Sequence, residues 1–235
     1  MKDLEEFLVA YDAGNLLDIA CGGGRFTRLL VDGCRSWRSV GGVDIREGVR
    51  KDFLSVMGTD SVRFVASPIA DFLGDAVADP FDTVSISNAL HHLEEVGDVL
   101  RQLRDVVKPD GTLILCEMYA DDLTTAQQTQ RDLHAMMAEL HRAAGEYHRS
   151  VSTIAEIDVM VAAAGLDVRL RFHEANDTPP AGDSPMVSRL EEAISRAYPE
   201  SAPADVVTRR DELLERARVT GVGTPPQLTM VCAFV

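Results

Sequence analysis

The chain has 235 residues, of which 46% are apolar, 26% charged and 6% aromatic, a balance that excludes disordered, collagen-like and membrane-embedded classes and predicts a soluble globular protein. Its 38 acidic residues against 23 basic ones give a net charge of -15, which argues against nucleic acid as a partner, because that affinity comes mainly from Lys and Arg displacing counterions from phosphates. Cysteines at 21, 34, 116 and 232 show neither C-x-x-C pairing nor the density of a secreted scaffold, so free thiols in a reducing, cytoplasmic setting are expected.

The opening MKDLEEFLVAYDAG places the acidic pair Glu5 and Glu6 directly after Leu4 and has no apolar core of signal-peptide length, and no 18-residue apolar run occurs; no leader and no membrane span are expected. Short apolar runs then alternate with helical stretches. Residues 15–20 (NLLDIA), 39–45 (SVGGVDI), 62–66 (VRFVA), 83–87 (TVSIS) and 111–116 (GTLILC) are strand candidates of the fully buried kind. Residues 25–33, 47–57, 72–77 and 93–107 are the helices between them, the pattern of right-handed βαβ units in a doubly wound α/β sheet.

Beyond Cys116 the pattern changes. A long, mostly polar helical segment over 122–144 ends at Gly145, a residue suited to a helix C-cap. Ser152 or Thr153 with Glu156 forms a capping box for a helix over 154–164, closed by Gly165 before a strand at 167–173. A proline-rich surface connection over 174–185 leads to helices at 186–197 and 204–219 and a final strand at 227–235. A single domain over 1–235 is expected, with a core of 14–118 and 152–235, a helical lid at about 120–150 and a helical insertion at about 183–220.

The stretch LLDIACGGGRFT, residues 16–27, runs strand, glycine cluster, helix. Backbone without a Cβ admits a ligand closely, and the helix that follows offers unpaired N–H groups and a positive dipole end to an anionic group. Twenty residues after Gly24, Asp44 ends the second strand, where a carboxylate can accept hydrogen bonds from a ribose diol. A nucleoside-containing cofactor follows. The G-x-G-x-x-G pattern of nicotinamide enzymes is broken at Thr27, and Asp18 is acidic inside the first strand.

At these residues the chain resembles the class I S-adenosylmethionine-dependent methyltransferase family, with motifs nearest the small-molecule and quinone-biosynthesis type. DIACGGG is similar to the family's acidic residue followed by G-x-G-x-G, with Ala20 in place of the first glycine; Asp44 in GVDI, the segment FDTVSISNALHHL at 81–93 and KPDGTLIL at 108–115 match further landmarks in order. The resemblance implies a Rossmann-like, doubly wound, seven-stranded and mostly parallel sheet with an antiparallel last strand, and helices added after strands 5 and 6. It also implies S-adenosylmethionine as cofactor, released as S-adenosylhomocysteine. Asp18, Ala20, Cys21, Gly22 and Gly24 would hold the methionine portion, Asp44 and Ile45 the ribose side, Ser67, Pro68 and Ile69 the adenine, and Asn88, Ala89 and Leu90 the region of the sulfur. The family's Asp or Asn after strand 3 is absent here, leaving Ser67 or Asp71 as the adenine partner.

Methyl transfer from a sulfonium needs alignment more than acid–base chemistry, so no catalytic residue is assigned; His91, His92 and His148 are the candidate bases for a protonated acceptor. Glu117, Tyr119, Tyr147 and His148 are candidate acceptor contacts. His134, His141 and His148 recur every seven residues, which on a continuous helix separates them by about 10.5 Å per step. That is too far to share a metal ion, so no metal site is expected and a stripe lining or covering the acceptor pocket is, unless Gly145 breaks the helix before His148. Cys21 has no cationic neighbour in sequence to activate it as a nucleophile. A small-molecule acceptor is expected, with a non-catalytic cofactor-binding scaffold as the rival.

Overall fold

The computed structural model describes residues 2–58, 61–74, 79–175 and 185–234. One helix precedes the sheet: α1 (Lys2–Ala10) buries Leu4 and Leu8, one turn apart, against the sheet face. The short acidic opening gave no sequence expectation of a helix there. The alternating part follows as β1 (Asp12–Ile19), α2 (Arg25–Gly33), β2 (Ser36–Asp44), α3 (Arg50–Met57), β3 (Val62–Ala66), α4 (Ile69–Gly74), β4 (Phe81–Ser87), α5 (Val96–Val106) and β5 (Val107–Met118). A tight helical turn, Leu90–His92, intervenes before α5, which starts three residues later than expected. The expected helix at 72–77 is α4, set earlier; residues 75–77 lie outside the described residues.

Seven strands form one sheet in the order β3-β2-β1-β4-β5-β7-β6, where β6 is Leu166–Glu174 and β7 is Gln227–Phe234. All pairings are parallel except β5 with β7 and β6 with β7, so β7 alone runs against the rest, as expected. The side-chain alternation of a strand divides the core in two. Leu17 and Ile19 of β1 face α5 and its Val96, Leu100, Leu103 and Val106, spaced at helical intervals along one side. Leu16 faces the other way, toward α1, α2 and Phe53 of α3.

The two added regions form one helical layer with its own core. Here α6 (Thr125–Ala143) packs on α8 (Pro185–Ala197) and α9 (Ala204–Thr220), burying Leu133, Met136, Met137 and Leu140 against Met186, Leu190, Ala193 and Ile194. The mostly polar look of the α6 sequence hides this seam, because its apolar residues occupy one stripe. Thr124 with Gln127, and Thr153 with Glu156 at the start of α7 (Ile154–Ala163), each form a reciprocal capping box. Among the described residues, no helix is long and apolar enough to cross a membrane.

Candidate active site

The chain leaves β1 toward β2 and β3, then crosses back to β4 on the other side of β1. Where strand order reverses in this way, a crevice opens at the carboxyl ends of the two strands. The backbone there is unusual. Ala20 (φ 54) and Gly22 (φ 52) beyond β1, and Asn88 (φ 47) beyond β4, all adopt the left-handed conformation. Glycine takes it freely, whereas a residue with a Cβ is strained by about 1–2 kcal/mol. Ala20 thus occupies a conformation that suits the glycine found there in the resembled motif.

Asp44 organises the first half of the site. Its Oδ2 accepts from the Gly22 N–H at 2.9 Å, and its Oδ1 accepts from the Arg46 N–H at 2.9 Å and from Arg46 Nε at 3.1 Å. Burial opposes its ionisation, but the Arg46 side chain, the Arg46 N–H and the Gly22 N–H together hold the carboxyl below the ordinary aspartate range. A Cβ on Gly22 would find its nearest neighbour, Arg46 Nη2, 3.6 Å away, so the space above this loop is open. Gly24 and Gly42 are hemmed in by Phe53. A Cβ on Gly24 would stand 2.9 Å from the Phe53 ring, and one on Gly42 of β2 would stand 2.4 Å from Phe53 and 2.8 Å from Cys21 Sγ. Phe53, fully buried on α3, is therefore wedged under the 20–24 loop, and its role was not legible from the sequence of α3.

Asp18 departs from the expectation that it faces the ligand. It lies on the same strand face as Leu16, is 1% exposed, and accepts from Thr27 Oγ1 at 2.5 Å and Ser85 Oγ at 2.7 Å. It ties β1 to β4 and to α2 beneath the loop. Burial, with a smaller push from Asp44, outweighs those two hydroxyls and raises its pKa to about 6. Cys21 is buried, and burial together with the Asp18 and Asp44 charges pushes its thiol upward, the opposite of an activated nucleophile. Ile45 is exposed beside Asp44. The Ser67 N–H donates to the Asp44 carbonyl at 3.1 Å, bringing Ser67, Pro68 and Ile69 next to Asp44 and Ile45, while the Ser67 hydroxyl turns back to the Pro68 carbonyl at 3.0 Å. Asp71 is exposed on α4.

The second half of the site grows from β4. Asn88 donates its N–H to the Cys116 carbonyl at 2.8 Å and accepts at Oδ1 from the Met118 N–H at 3.1 Å, which pins the loop to β5. Ala89 and Leu90 point into the core at 3% and 2% exposure and support the loop from below. Glu117, expected among acceptor contacts, is buried: its Oε2 accepts from the Leu90 N–H at 2.8 Å, while its Oε1 accepts from the Met118 N–H at 3.0 Å and pairs with His91 Nδ1 at 3.2 Å. It positions the 88–91 loop. Tyr119 packs its ring edge against His173 at 6.0 Å and joins Met118, Gln127 and His134 around a small cleft between β5 and α6. Tyr147 is an outward, exposed residue.

The histidine stripe requires a correction. α6 ends at Ala143, Gly145 turns the chain in the left-handed conformation (φ 84), and His148 folds back as buried coil. His148 Nδ1 meets His141 Nδ1 at 2.8 Å, and His148 Nε2 meets His134 Nε2 at 3.3 Å. The rings of His91 and His92 lie 5.3 and 4.2 Å from that of His148. The spacing argument against a shared metal holds only for a continuous helix, and the break at Gly145 removes it. Burial, reinforced by the neighbouring histidines, holds His92, His134 and His148 below the usual imidazole range, so all three are neutral at pH 7.

No curated protein matches the chain in sequence. Among solved structures, a cyclopropane-fatty-acyl-phospholipid synthase-like protein from Lactobacillus casei superposes with a TM-score of 0.69 at 15% identity, over 99% of this chain and 88% of that one. S-adenosylmethionine-dependent methyltransferases from Geobacter sulfurreducens and Thiobacillus denitrificans, both solved with S-adenosylhomocysteine, give TM-scores of 0.58 and 0.56 at 14% and 16% identity, each over 100% of this chain and 90% of the other. These likenesses establish the fold. The family profile described as a methyltransferase domain spans residues 2–170, and the chain belongs to that family.

Proposed function

We propose that the protein transfers a methyl group from S-adenosylmethionine to a small-molecule acceptor. The observation that carries this reading is the open left-handed turn at Gly22, whose N–H is fixed 2.9 Å from the Asp44 carboxylate at the strand switch point. A nucleoside diol fits there as a pair of donors to Asp44, taking over from Arg46, whose side chain is 66% exposed and free to swing into solvent. The two structural neighbours solved with S-adenosylhomocysteine support the choice of cofactor. When bound, S-adenosylmethionine supplies a methyl group on a sulfonium, activated for in-line displacement.

The chain's own residues then bind and align. Ala20, Cys21, Gly22 and Gly24 shape the methionine end, with Asp18 holding that loop from below; Asp44 and Ile45 take the ribose side, and the 67–69 loop takes the adenine. Asn88 brings the β4 loop to the sulfur. His91 is oriented by Glu117, whereas the lowered pKa of His92 and His148 makes them weak proton acceptors at neutral pH, so no general base is assigned. The net charge of -15 supports a small molecule over nucleic acid, and residues 87–90 read Ser-Asn-Ala-Leu, without the Asn-Pro-Pro-Tyr loop carried by many amino-methylating relatives of the resembled family. Free cysteines at 21, 34, 116 and 232 support a cytoplasmic location. Incubation with methyl-labelled S-adenosylmethionine and a broad metabolite pool tests the reading. Label in a low-mass product is expected; uptake of cofactor with no product in any pool would favour the scaffold.

A further inference from the structure

Five of the chain's six histidines come from three separate segments and converge on one spot: His91 and His92 beyond β4, His134 and His141 on α6, and His148 in the returning coil. One ligand nitrogen from each of His91, His92 and His148 lies within 4.8 Å of the others. His134 Nε2 stands 3.3 Å from His148 Nε2, close to the roughly 3.4 Å that separates two imidazole nitrogens sharing a tetrahedral zinc at about 2.0–2.1 Å. Among the described residues, the Nδ1 of His134 is buried without a hydrogen-bond partner, so hydrogen bonding alone does not account for the placement of this ring.

We propose that His91, His92 and His148, with His134 as a fourth imidazole, form a binding site for a late first-row divalent metal ion such as zinc or cobalt. The donor set is all nitrogen, which suits these ions over magnesium or calcium. Two of the rings already carry the outer partner that metal-bound histidines use to fix their orientation. His91 turns its Nδ1 to Glu117 at 3.2 Å and His148 turns its Nδ1 to His141 at 2.8 Å, leaving Nε2 of each for an ion. The Glu117 carboxylate stands one ring away and offsets the charge of a bound cation. The nearby guanidinium groups of Arg142 and Arg149 are directed to the backbone carbonyls of His148 and Leu90. The site adjoins Asn88 at the mouth of the crevice, but it does not depend on the methyl-transfer reading.

The test uses the full chain freed of metal by a chelator and titrated with Co2+, followed by visible absorption. The expected result is one equivalent bound with the intense d–d bands of a low-coordinate site. His148→Gln and His92→Gln should each weaken cobalt binding at least tenfold while leaving S-adenosylhomocysteine affinity within twofold of wild type. His92 is the exposed member of the three, although its ring is partly desolvated by the neighbouring histidines, so His92→Gln is the milder variant and decides the matter if His148→Gln does not fold. Absence of the bands, or unchanged cobalt affinity in His92→Gln, overturns the proposal. Loss of nucleoside binding in the wild-type protein would instead count against the methyl-transfer reading alone.

Discussion

The two halves of the candidate site are built on different principles. On the β1–β2 side, backbone does the work: left-handed turns at Ala20 and Gly22, an N–H held to Asp44, and Phe53 packed beneath Gly24 and Gly42. On the β4–β5 side, side chains from distant segments meet: Asn88, Glu117 and five histidines, closed over by α6. The first half resembles a fixed socket for a constant ligand, and the second a surface that sequence change can retune. The layer of α6, α8 and α9 packs chiefly on itself and joins the second half through His134 and His141 of α6, which meet His148.

That division predicts that the helical layer and the proposed cofactor site can be damaged separately. Leu133 is fully buried in the helical layer, so Leu133→Ala should lower unfolding stability by about 2–5 kcal/mol. S-adenosylhomocysteine affinity measured below the melting transition should remain within twofold. A parallel loss of both would merge the two regions into one.

Asp18 sharpens the comparison from the cradle side. Its folded-state pKa of about 6 exceeds the ordinary 3.8, so its contribution to stability is greatest below pH 4 and is lost as the pH rises through about 6. Asp18→Asn keeps the Thr27 and Ser85 contacts, since both hydroxyls can also accept. The variant should match wild type near pH 4 and exceed it by about 2–3 kcal/mol at pH 7, read from denaturant unfolding at each pH. A constant difference across that range would contradict the account of Asp18. The smallest effect is expected at Ala20, where Ala20→Gly relieves the left-handed strain but frees the unfolded chain. A net gain of about 0.5–1 kcal/mol in thermal unfolding follows, and a loss would show that the turn is not strained.

The same contrast explains what the sequence made legible. The strands announced themselves because a parallel sheet buried on both faces demands continuous apolar runs, as in NLLDI and TVSIS, and Asp44 stood out because an acidic residue ending an apolar strand is visible in that strand alone. Glu117 and Asp18 were recognised as notable but given the wrong direction, since which oxygen meets which neighbour is decided across the sheet, 26 to 67 residues away. Phe53 was invisible because an amphipathic helix does not say which of its apolar residues reaches a loop. The histidine group was misjudged for one local reason: the seven-residue spacing describes a helix that stops before Gly145, and the turn there reverses the chain and returns His148 to His134.

The central claim is that Asp44 and the Gly22 turn hold the ribose of a sulfonium nucleoside. Isothermal titration of S-adenosylhomocysteine into wild type and Asp44→Ala tests it most directly. The account predicts binding to wild type and a loss of about 1–3 kcal/mol in the variant, roughly 5- to 150-fold in Kd. Equal affinity in the two proteins, or no binding to wild type at millimolar nucleoside, would contradict it.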